Sequence, residues 1–169
     1  FLAAQGKPIG KSLSDPSEVP TAASIIGSAK GALLLPADVV VAEGPNKPHT
    51  ARRCVVDDVT PADVILDLGP ESAKRIADAI MGAKIVVWNG PLGYAESEAF
   101  SASTVVTAHA LVKATSMGTF SVVGGGDTLE IHARYGLPLD RYSFVSTGGG
   151  AMLDFLAAGD VPALAALRS

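Results

Sequence analysis

The chain has 169 residues, of which 48% are hydrophobic and 18% are charged, and its formal net charge is −4. That length is enough for a domain with a sizeable core, and the negative charge argues against sequence-independent binding to nucleic acid. No uninterrupted apolar run reaches the roughly 18 residues expected of a membrane span.

The few residues that could form a disulfide or bind zinc are scattered. Cys54 is the single cysteine, which excludes an internal disulfide and fits a reducing compartment. His49, His109 and His132 do not cluster with it in the sequence, so no zinc site is visible. The chain starts at Phe1 inside what reads as the end of an apolar helix, without the features of a signal peptide. We therefore expect it to be a piece of a longer protein.

The first half of the chain shows continuous apolar runs typical of buried strands, and apolar residues at helical spacing. Predicted here are a helix over Val19–Lys30, a strand over Asp38–Ala42 in a parallel sheet, a short extra strand over Cys54–Val56, a strand over Val64–Leu66 and a helix that ends at Gly82. A long polar connection over residues 43–62 follows the strand at Asp38–Ala42 and holds the short extra strand.

The second half repeats a strand–glycine–helix plan. Predicted here are a strand over Lys84–Trp88, a loop over Asn89–Glu96, a helix over Ser103–Ser116, a strand in "TFSVVGGGD", a helix from Asp127 to about Tyr135, a strand in "YSFVSTGGG" and a helix that stops at Gly159, followed by a short apolar tail. Strands that alternate with helices imply β-α units with right-handed crossovers and a parallel sheet.

Three glycine-rich loops follow predicted strands: "NGPLGYAE", "GGGDT" and "STGGGA". In parallel sheets, ligands bind beyond the carboxyl ends of the strands. The three loops are therefore the main functional signal in the sequence, although none of them is decisive alone.

The loop "GGGDTLE" allows two interpretations. Asp127 and Glu130 have the spacing of a capping box, which satisfies the first amides of a helix without any ligand. Helix N-termini also attract anions, and three adjacent glycines exceed what a cap requires. Both interpretations stay open at this point.

The loop "VSTGGGAML" looks like a second copy of the same device. Ser146 and Thr147 offer hydroxyls, and Gly148–Gly150 offer unhindered amides at a helix start. Two helix N-termini aimed at one edge would suit a phosphoryl group, whose transfer depends on positioning and charge stabilisation. The alternative is a pair of tight strand-to-helix turns.

Two other segments are less specific. In "WNGPLGYAE", Asn89 and Glu96 are candidates for hydrogen bonds to sugar hydroxyls, and a rigid Gly-Pro turn is the alternative. In "QGKPIGKSL", Gly10-Lys11-Ser12 resembles the end of a P-loop, but Gln5 stands where the motif needs its first glycine. We interpret this second segment as a surface loop.

Taken together, six blocks in one order resemble phosphoglycerate kinase: "FLAAQGKPIGKSL", "LLLPADVVVA", "LDLGPES", "VVWNGPLGYAE", "VVGGGDT" and "VSTGGGAMLDFLAAGDVPALAAL". The family is a two-domain, glycolytic enzyme that passes a phosphoryl group between 1,3-bisphosphoglycerate and ADP, giving 3-phosphoglycerate and ATP with Mg²⁺. The resemblance places residues 1–169 in the later part of its C-terminal, nucleotide-binding domain. It implies an α/β, Rossmann-like three-layer fold with a mostly parallel sheet that is incomplete at its N-terminal side.

The resemblance also implies site residues. Glu96 matches the glutamate on the ribose, Leu66 the leucine on the adenine, and Asp127 the aspartate near the nucleotide Mg²⁺. The nucleotide-binding set is Leu66, Asn89, Gly90, Pro91, Gly93, Glu96, Gly125, Gly126, Asp127, Thr128 and Thr147. The set that faces the transferred phosphoryl group is Gly126, Gly148, Gly149 and Gly150.

Departures from the family pattern set limits on this expectation. The family's lysine-bearing glycine segment and its N-terminal domain, which holds the glycerate substrate, do not occur in this sequence. Ala95 replaces a usual phenylalanine, and Ile65 a usual glycine. We therefore expect the chain to bind ADP or ATP. Glycerate substrates should bind only when the missing domain is present, so we expect that the chain alone is not a competent kinase.

The resemblance further implies a cytoplasmic, monomeric parent without nucleic-acid or membrane partners. Three alternatives remain: a nucleotide-binding module without chemistry, a fragment that serves only within an assembly through an exposed sheet edge, and an unrelated flavodoxin-like module that binds another phosphate ligand.

Overall fold

The structure, a computed structural model, describes residues 1–29 and 32–161. The chain divides into two compact units, here the first unit (Phe1–Ala79 with Leu92–Thr107) and the second unit (Ile80–Pro91 with Ala108–Ser169). Lys30, the predicted end of the first helix, and most of the predicted apolar tail lie outside the described residues.

The described elements follow the predicted order closely. They are α1 (Val19–Ser28), β1 (Asp38–Ala42), β2 (Arg52–Val55), β3 (Val64–Leu68), α2 (Pro70–Gly82), β4 (Ile85–Asn89), α3 (Ala102–Ser116), β5 (Phe120–Gly124), α4 (Gly126–Arg134), β6 (Phe144–Ser146) and α5 (Gly149–Ala158). The predicted helices and strands are present, with ends shifted by a few residues. None of the helices in the described ranges has the length and apolar character needed to cross a bilayer.

The sheet of the first unit is antiparallel, with strand order β2-β1-β3. The prediction that Asp38–Ala42 lies in a parallel sheet is therefore wrong. No α-helix intervenes between β1, β2 and β3, whereas parallel neighbours need a long crossover, usually through a helix. Val39 and Val41 of β1 pack with Val56 and Val59 in the core of this unit.

The sheet of the second unit is parallel, with strand order β4-β5-β6. Helices follow its strands: α3 comes after β4, α4 after β5 and α5 after β6. This alternation confirms the α/β class and the Rossmann-like character expected from the sequence. Trp88, Ser121 and Val123 are buried on the strands, while Ile85 and Phe120 are exposed.

Two aspartates in the first unit cap helix N-termini that lie more than 30 residues away along the chain. Asp38 accepts hydrogen bonds from the backbone N–H groups of Glu71 (3.1 Å) and Ser72 (2.7 Å) at the start of α2. Burial raises the pKa of Asp38, but the hydrogen bonds from Ser72 and Glu71 outweigh it and leave the pKa below its usual value. Asp67 plays the same part for α3 through Ser103.

Candidate functional site

The last residues of the three strands of the second unit lie side by side in the sheet. Asn89 of β4 lies opposite Gly124 of β5, and Gly124 lies opposite Ser146 of β6. Because the strands are parallel, the loops that follow them leave from the same edge of this sheet. The sequence prediction that these loops follow the carboxyl ends of parallel strands is confirmed, and α4 and α5 begin directly beyond that edge.

Some glycines of the two loops are required by the fold. Gly125 is the N-cap of α4 with φ 96°, a backbone conformation that favours glycine, and a Cβ there would collide with Asn89 Oδ1. A Cβ on Gly124 would lie 2.7 Å from Cε of Met152. A Cβ on buried Gly149 would lie 2.6 Å from Cα of Gly125. Backbone conformation and tight packing therefore account for Gly125 and Gly149 without any ligand, whereas the neighbour of Gly124 is the flexible end of the Met152 side chain.

The remaining glycines of these loops have room around them. A Cβ on Gly126 or Gly150 would meet nothing within 4 Å among the described residues, and one on Gly148 would meet only the Ala151 Cβ at 3.8 Å. All three are exposed and lie at or beside the first turns of α4 and α5. Neither backbone conformation nor packing within residues 1–29 and 32–161 explains glycine at these positions, whereas close approach of a ligand to the backbone would.

Asn89 links the two glycine loops. Its Nδ2 donates to the Gly149 carbonyl at 3.3 Å, and its Oδ1 fills the space that a side chain on Gly125 would need. The end of β4 therefore fixes the spacing of the α4 and α5 N-termini. The sequence pointed to Asn89 as a hydrogen-bond partner for a sugar, but here its side chain serves the protein backbone.

Gly90 and Thr128 are held together. The Gly90 N–H donates to Thr128 Oγ1 at 2.8 Å, and Thr128 is 1% exposed. Gly90 has φ 91°, and its carbonyl accepts a hydrogen bond from Trp88 Nε1 at 2.6 Å. Both polar groups of this residue are therefore fixed, and Pro91 follows it, half-buried.

Asp127 is exposed in the first turn of α4. The interpretation of Asp127 as the helix N-cap is wrong, because α4 begins at Gly126 and its N-cap is Gly125. Glu130, the other member of the predicted capping box, pairs instead with Arg134 at 3.1 Å. The carboxylate of Asp127 thus stands beside the exposed glycine Gly126, and Thr147 is likewise exposed after β6.

The donor set bears on how a metal would bind. Among the described residues, no group of three or more His, Cys, Asp or Glu is arranged to hold a metal ion. Mg²⁺ commonly takes one or two protein carboxylates, with substrate phosphates and water as its other ligands. A single exposed carboxylate such as Asp127 fits a cation that arrives with a nucleotide, and does not fit a resident metal centre.

The other predicted site residues lie in the first unit. The Tyr94 N–H donates to the Leu66 carbonyl at 2.7 Å, which fastens the segment around Gly93 to the end of β3. The Leu66 side chain packs in a core cluster with Ala42 and Phe100. A Cβ on Gly93 would collide with Asp67. Packing thus accounts for Leu66 and Gly93, whereas Glu96 is exposed.

The P-loop-like segment has a structural role. Gly10 forms an isolated antiparallel bridge with Val64, and the Lys11 N–H donates to the Asp63 carbonyl at 2.6 Å. Ser12 Oγ accepts a hydrogen bond from the Ile65 N–H at 2.8 Å. These contacts align the segment along β3, and they confirm that it lacks the strand–loop–helix setting of a P-loop.

A buried polar cluster next to Thr128 was missed by the sequence reasoning. His132, which is fully buried, contacts Thr128 and Tyr142 and packs beside the Trp88 ring. Burial lowers the pKa of His132, against a hydrogen bond with the Thr128 backbone that raises it. One signal was available: Thr128 and His132 are four residues apart, on the same face of a helix.

The comparisons with known proteins agree over nearly the whole chain. The sequence model of the family "Phosphoglycerate kinase" matches residues 1–159. The phosphoglycerate kinases of Mycolicibacterium gilvum and Rhodococcus erythropolis are 40% and 41% identical to this chain over 168 residues, which is 99% of it and 42% of each relative.

Solved structures give the same result. The phosphoglycerate kinase structure from Coxiella burnetii has a TM-score of 0.89 and 41% identity, over 97% of this chain and 42% of that one. The structure from Pyrococcus horikoshii OT3 has a TM-score of 0.84 and 29% identity, over 99% and 42% respectively. The chain thus spans less than half the length of the relatives that it matches. With matching sequence, matching fold and glycine loops at the ends of parallel strands, the chain belongs to the phosphoglycerate kinase family.

Proposed function

We propose that this chain binds the phosphates of ADP and ATP at the edge of the second unit's sheet where β4, β5 and β6 end. The observation that carries the proposal is the set of exposed glycines that the fold does not require: Gly126, Gly148 and Gly150. They lie at or beside the first turns of two helices, where backbone N–H groups and the helix dipole favour an anion. Membership of the phosphoglycerate kinase family supports the nucleotide as that anion.

The proposed roles follow from where each residue lies. The amides around Gly126 and Gly148–Gly150 stabilise charge on the transferred phosphoryl group. The hydrogen bond from Asn89 to the Gly149 carbonyl and the one from the Gly90 N–H to Thr128 keep the backbone of the site in place. The remaining proposed phosphate-side residues are Pro91, Gly125 and Thr147.

Asp127 is the proposed protein ligand of the Mg²⁺ that accompanies the nucleotide. Mg²⁺, when bound, would neutralise part of the charge on the phosphate oxygens. Asp127 is exposed and is not used as the cap of its own helix, so its carboxylate is available for this role. A neutral amide at this position would fill the same space without the charge.

Two further contacts with the nucleoside are proposed for the first unit. Glu96, which is exposed, would accept hydrogen bonds from ribose hydroxyls. Leu66, at the margin of its core cluster, would make an apolar contact with the adenine. Gly93 would form the close backbone turn that precedes Glu96.

The proposed reaction of the parent enzyme is reversible transfer of a phosphoryl group from 1,3-bisphosphoglycerate to ADP, giving 3-phosphoglycerate and ATP. A bond forms between phosphorus and a terminal oxygen of ADP while the acyl-phosphate bond breaks, and in the reverse direction the carboxylate is the nucleophile. A carboxylate needs no general base to attack, so catalysis rests on positioning and charge stabilisation.

For the chain by itself we propose nucleotide binding without turnover. The chain covers 42% of the length of its relatives, and we propose that the parent holds the glycerate substrate in a separate N-terminal domain. A coupled assay with 3-phosphoglycerate and Mg·ATP is expected to show no turnover above background. Turnover by the purified chain would overturn this part of the proposal.

The binding proposal is tested by titration calorimetry of the chain with Mg·ADP and with ADP in excess chelator. Asp127→Asn is the test variant, and Asp140→Asn is the control, because Asp140 is also an exposed aspartate of the second unit but lies outside the glycine loops. The expected result is a weaker affinity of Asp127→Asn for Mg·ADP, a smaller effect on ADP without metal, and no change for the control.

Two outcomes would count against the proposal. If the unsubstituted chain shows no heat of binding at millimolar Mg·ADP, the site does not hold a nucleotide on its own. If the chain binds Mg·ADP but Asp127→Asn binds it equally well, Asp127 is not the ligand of the metal.

A further inference from the structure

His132 is fully enclosed between two aromatic side chains of the second unit. The Trp88 ring lies 5.1 Å from the imidazole, centroid to centroid and tilted by 56°, and the Tyr142 ring lies 5.4 Å away in an edge-on arrangement. All three side chains are at least nine-tenths buried. A histidine so completely removed from water must find its hydrogen-bond partners inside the protein.

The partners fix which ring nitrogen carries the proton. Nδ1 lies 2.6 Å from the Thr128 carbonyl, which only accepts hydrogen bonds, so the Nδ1–H donates. Nε2 lies 2.9 Å from the Tyr142 hydroxyl. Since the neutral ring has one N–H, Nε2 is the acceptor and the Tyr142 hydroxyl is the donor. Burial favours this neutral ring by lowering the pKa of His132 and keeps the hydroxyl protonated by raising the pKa of Tyr142 to about 12.

Two neighbours of His132, Thr128 and Trp88, also hydrogen-bond to Gly90. Thr128, whose carbonyl accepts from the imidazole, also accepts the Gly90 N–H on its Oγ1 at 2.8 Å. Trp88, which packs on the imidazole, donates its Nε1–H to the Gly90 carbonyl at 2.6 Å. A chain of contacts thus runs from Tyr142 through His132 to both polar groups of Gly90.

We propose that His132, fixed by Tyr142, is a positioning residue that sets the Gly90 backbone against the first turn of α4, at the edge where the phosphates would bind. The inference rests on the proposed nucleotide-binding function and adds to it a residue outside the glycine loops. Gly90 has a φ of 91° and follows β4 directly, so its orientation is set by these side chains rather than by strand pairing.

An apolar side chain at position 132 would fill a similar volume but make no hydrogen bonds. The test therefore compares variants that lose these hydrogen bonds with a variant that keeps them. Tyr142→Phe removes one hydroxyl, leaves Nε2 without its donor and keeps the aromatic packing. His132→Leu removes both hydrogen bonds. Ile131→Val is the matched control, because Ile131 is also buried on α4 but makes no contact in this chain of hydrogen bonds.

Three measurements follow these variants: amide hydrogen exchange at Gly90 by NMR, the emission of Trp88, which is the single tryptophan of the chain, and the Kd for Mg·ADP. For Tyr142→Phe and His132→Leu we expect Gly90 exchange to accelerate about tenfold, Trp88 emission to shift and the Kd to rise by a similar factor. Ile131→Val is expected to leave all three unchanged even where it lowers stability.

The outcomes separate this inference from the proposed function. If the unsubstituted chain binds Mg·ADP, but Gly90 exchange and Trp88 emission in Tyr142→Phe equal those of Ile131→Val, the positioning role is overturned and nucleotide binding stands. If the unsubstituted chain does not bind Mg·ADP, the proposed function falls, and the nucleotide role of His132 falls with it.

A measurement on the unsubstituted chain keeps the inference testable if a variant does not fold. The ¹⁵N chemical shifts of the His132 ring are expected to show a neutral, Nδ1-protonated imidazole at pH 7. A ring protonated on Nε2, or a charged ring at that pH, would contradict the arrangement on which the inference depends.

Discussion

The buried carboxylate of Asp67 is hydrogen-bonded to both the hydroxyl and the backbone N–H of Ser103, at the first turn of α3. Burial raises the pKa of Asp67, against the hydrogen bonds from Ser103 and Leu68 that lower it. Gly93 packs so closely on the same carboxylate that a side chain there would collide with it. One aspartate therefore fastens β3, α3 and the turn that leads to Glu96.

Replacing Ser103 by alanine should lower the free energy of unfolding by about 1–3 kcal/mol, because a buried carboxylate loses a hydroxyl donor that water cannot replace. Urea denaturation followed by circular dichroism measures the loss. Ser116→Ala on the same helix is the control, since the Ser116 hydroxyl is exposed and only contacts the Lys113 carbonyl. Equal losses in the two variants would show that the Asp67–Ser103 bond adds nothing.

Adjacent glycines at the start of α5 should respond differently to alanine. Gly149→Ala places a Cβ 2.6 Å from Cα of Gly125, and such overpacking typically costs about 1–3 kcal/mol. Gly150→Ala meets open space and replaces a poor helix former, so stability should hold or rise by up to about 1 kcal/mol. Thermal unfolding of the two variants gives the comparison.

Similar melting temperatures for these two variants would mean that the close approach of the glycine loops is not maintained in solution. A second readout follows from the proposed function. Gly150→Ala is expected to weaken Mg·ADP binding although its fold is intact, because its methyl group occupies space open to a ligand.

Much of the fold could be predicted from the sequence where local signals agree. The strand predicted over Lys84–Trp88 is found at Ile85–Asn89, because a run of β-branched and aromatic residues favours a strand. Its burial was predicted less well, since Trp88 is buried but Ile85 and Val87 are exposed. The start of α4 was misplaced by one residue. Asp127 looked like the cap, but Gly125 adopts a backbone conformation closed to most residues and takes that position instead.

The features that could not be predicted are contacts between residues that are far apart in the sequence. Asp38 satisfies amides of α2 from a strand 33 and 34 residues away along the chain, whereas capping rules use neighbours within one turn. The sequence likewise gave no means of telling the glycines needed for packing from those that are open, since the difference lies in what surrounds each backbone. His132 was set aside for lack of nearby metal ligands, although its partners are a carbonyl, a hydroxyl and an indole ring.

The stability of the chain should depend on pH through His132. Its pKa in the folded chain is below the usual value, so between that pKa and about 6.5, the value for an unfolded chain, only the unfolded state binds the proton. Stability is therefore complete above about pH 6.5 and falls on acidification, by at most about 1.4 kcal/mol per pH unit. Urea denaturation between pH 7.5 and 5.5 measures the slope.

His132→Leu should remove this part of the pH dependence. His109→Leu, which alters an exposed histidine of α3, is the control and should leave the slope as it is in the unsubstituted chain. An unchanged slope in His132→Leu would show that the buried imidazole does not titrate differently on folding.

The distant cap of α2 should be worth as much as a local one, and its contribution should disappear in acid. Asp38→Ala is expected to lower the free energy of unfolding by about 1–2 kcal/mol at pH 7, as for other N-caps, because the N–H groups of Glu71 and Ser72 lose their acceptor. The lowered pKa of Asp38 means that this stabilisation is present above about pH 3.9, the value in an unfolded chain, and is lost as the pH falls through the folded pKa. Urea denaturation at pH 7 and pH 3 should therefore show a smaller difference between the variant and the unsubstituted chain at the lower pH.

The control for this prediction is Asp78→Ala, which breaks an exposed pair with Lys74 and should cost no more than about 1 kcal/mol at pH 7. A loss from Asp38→Ala that matches this control, or that persists unchanged at pH 3, would show that the carboxylate of Asp38 does not cap α2.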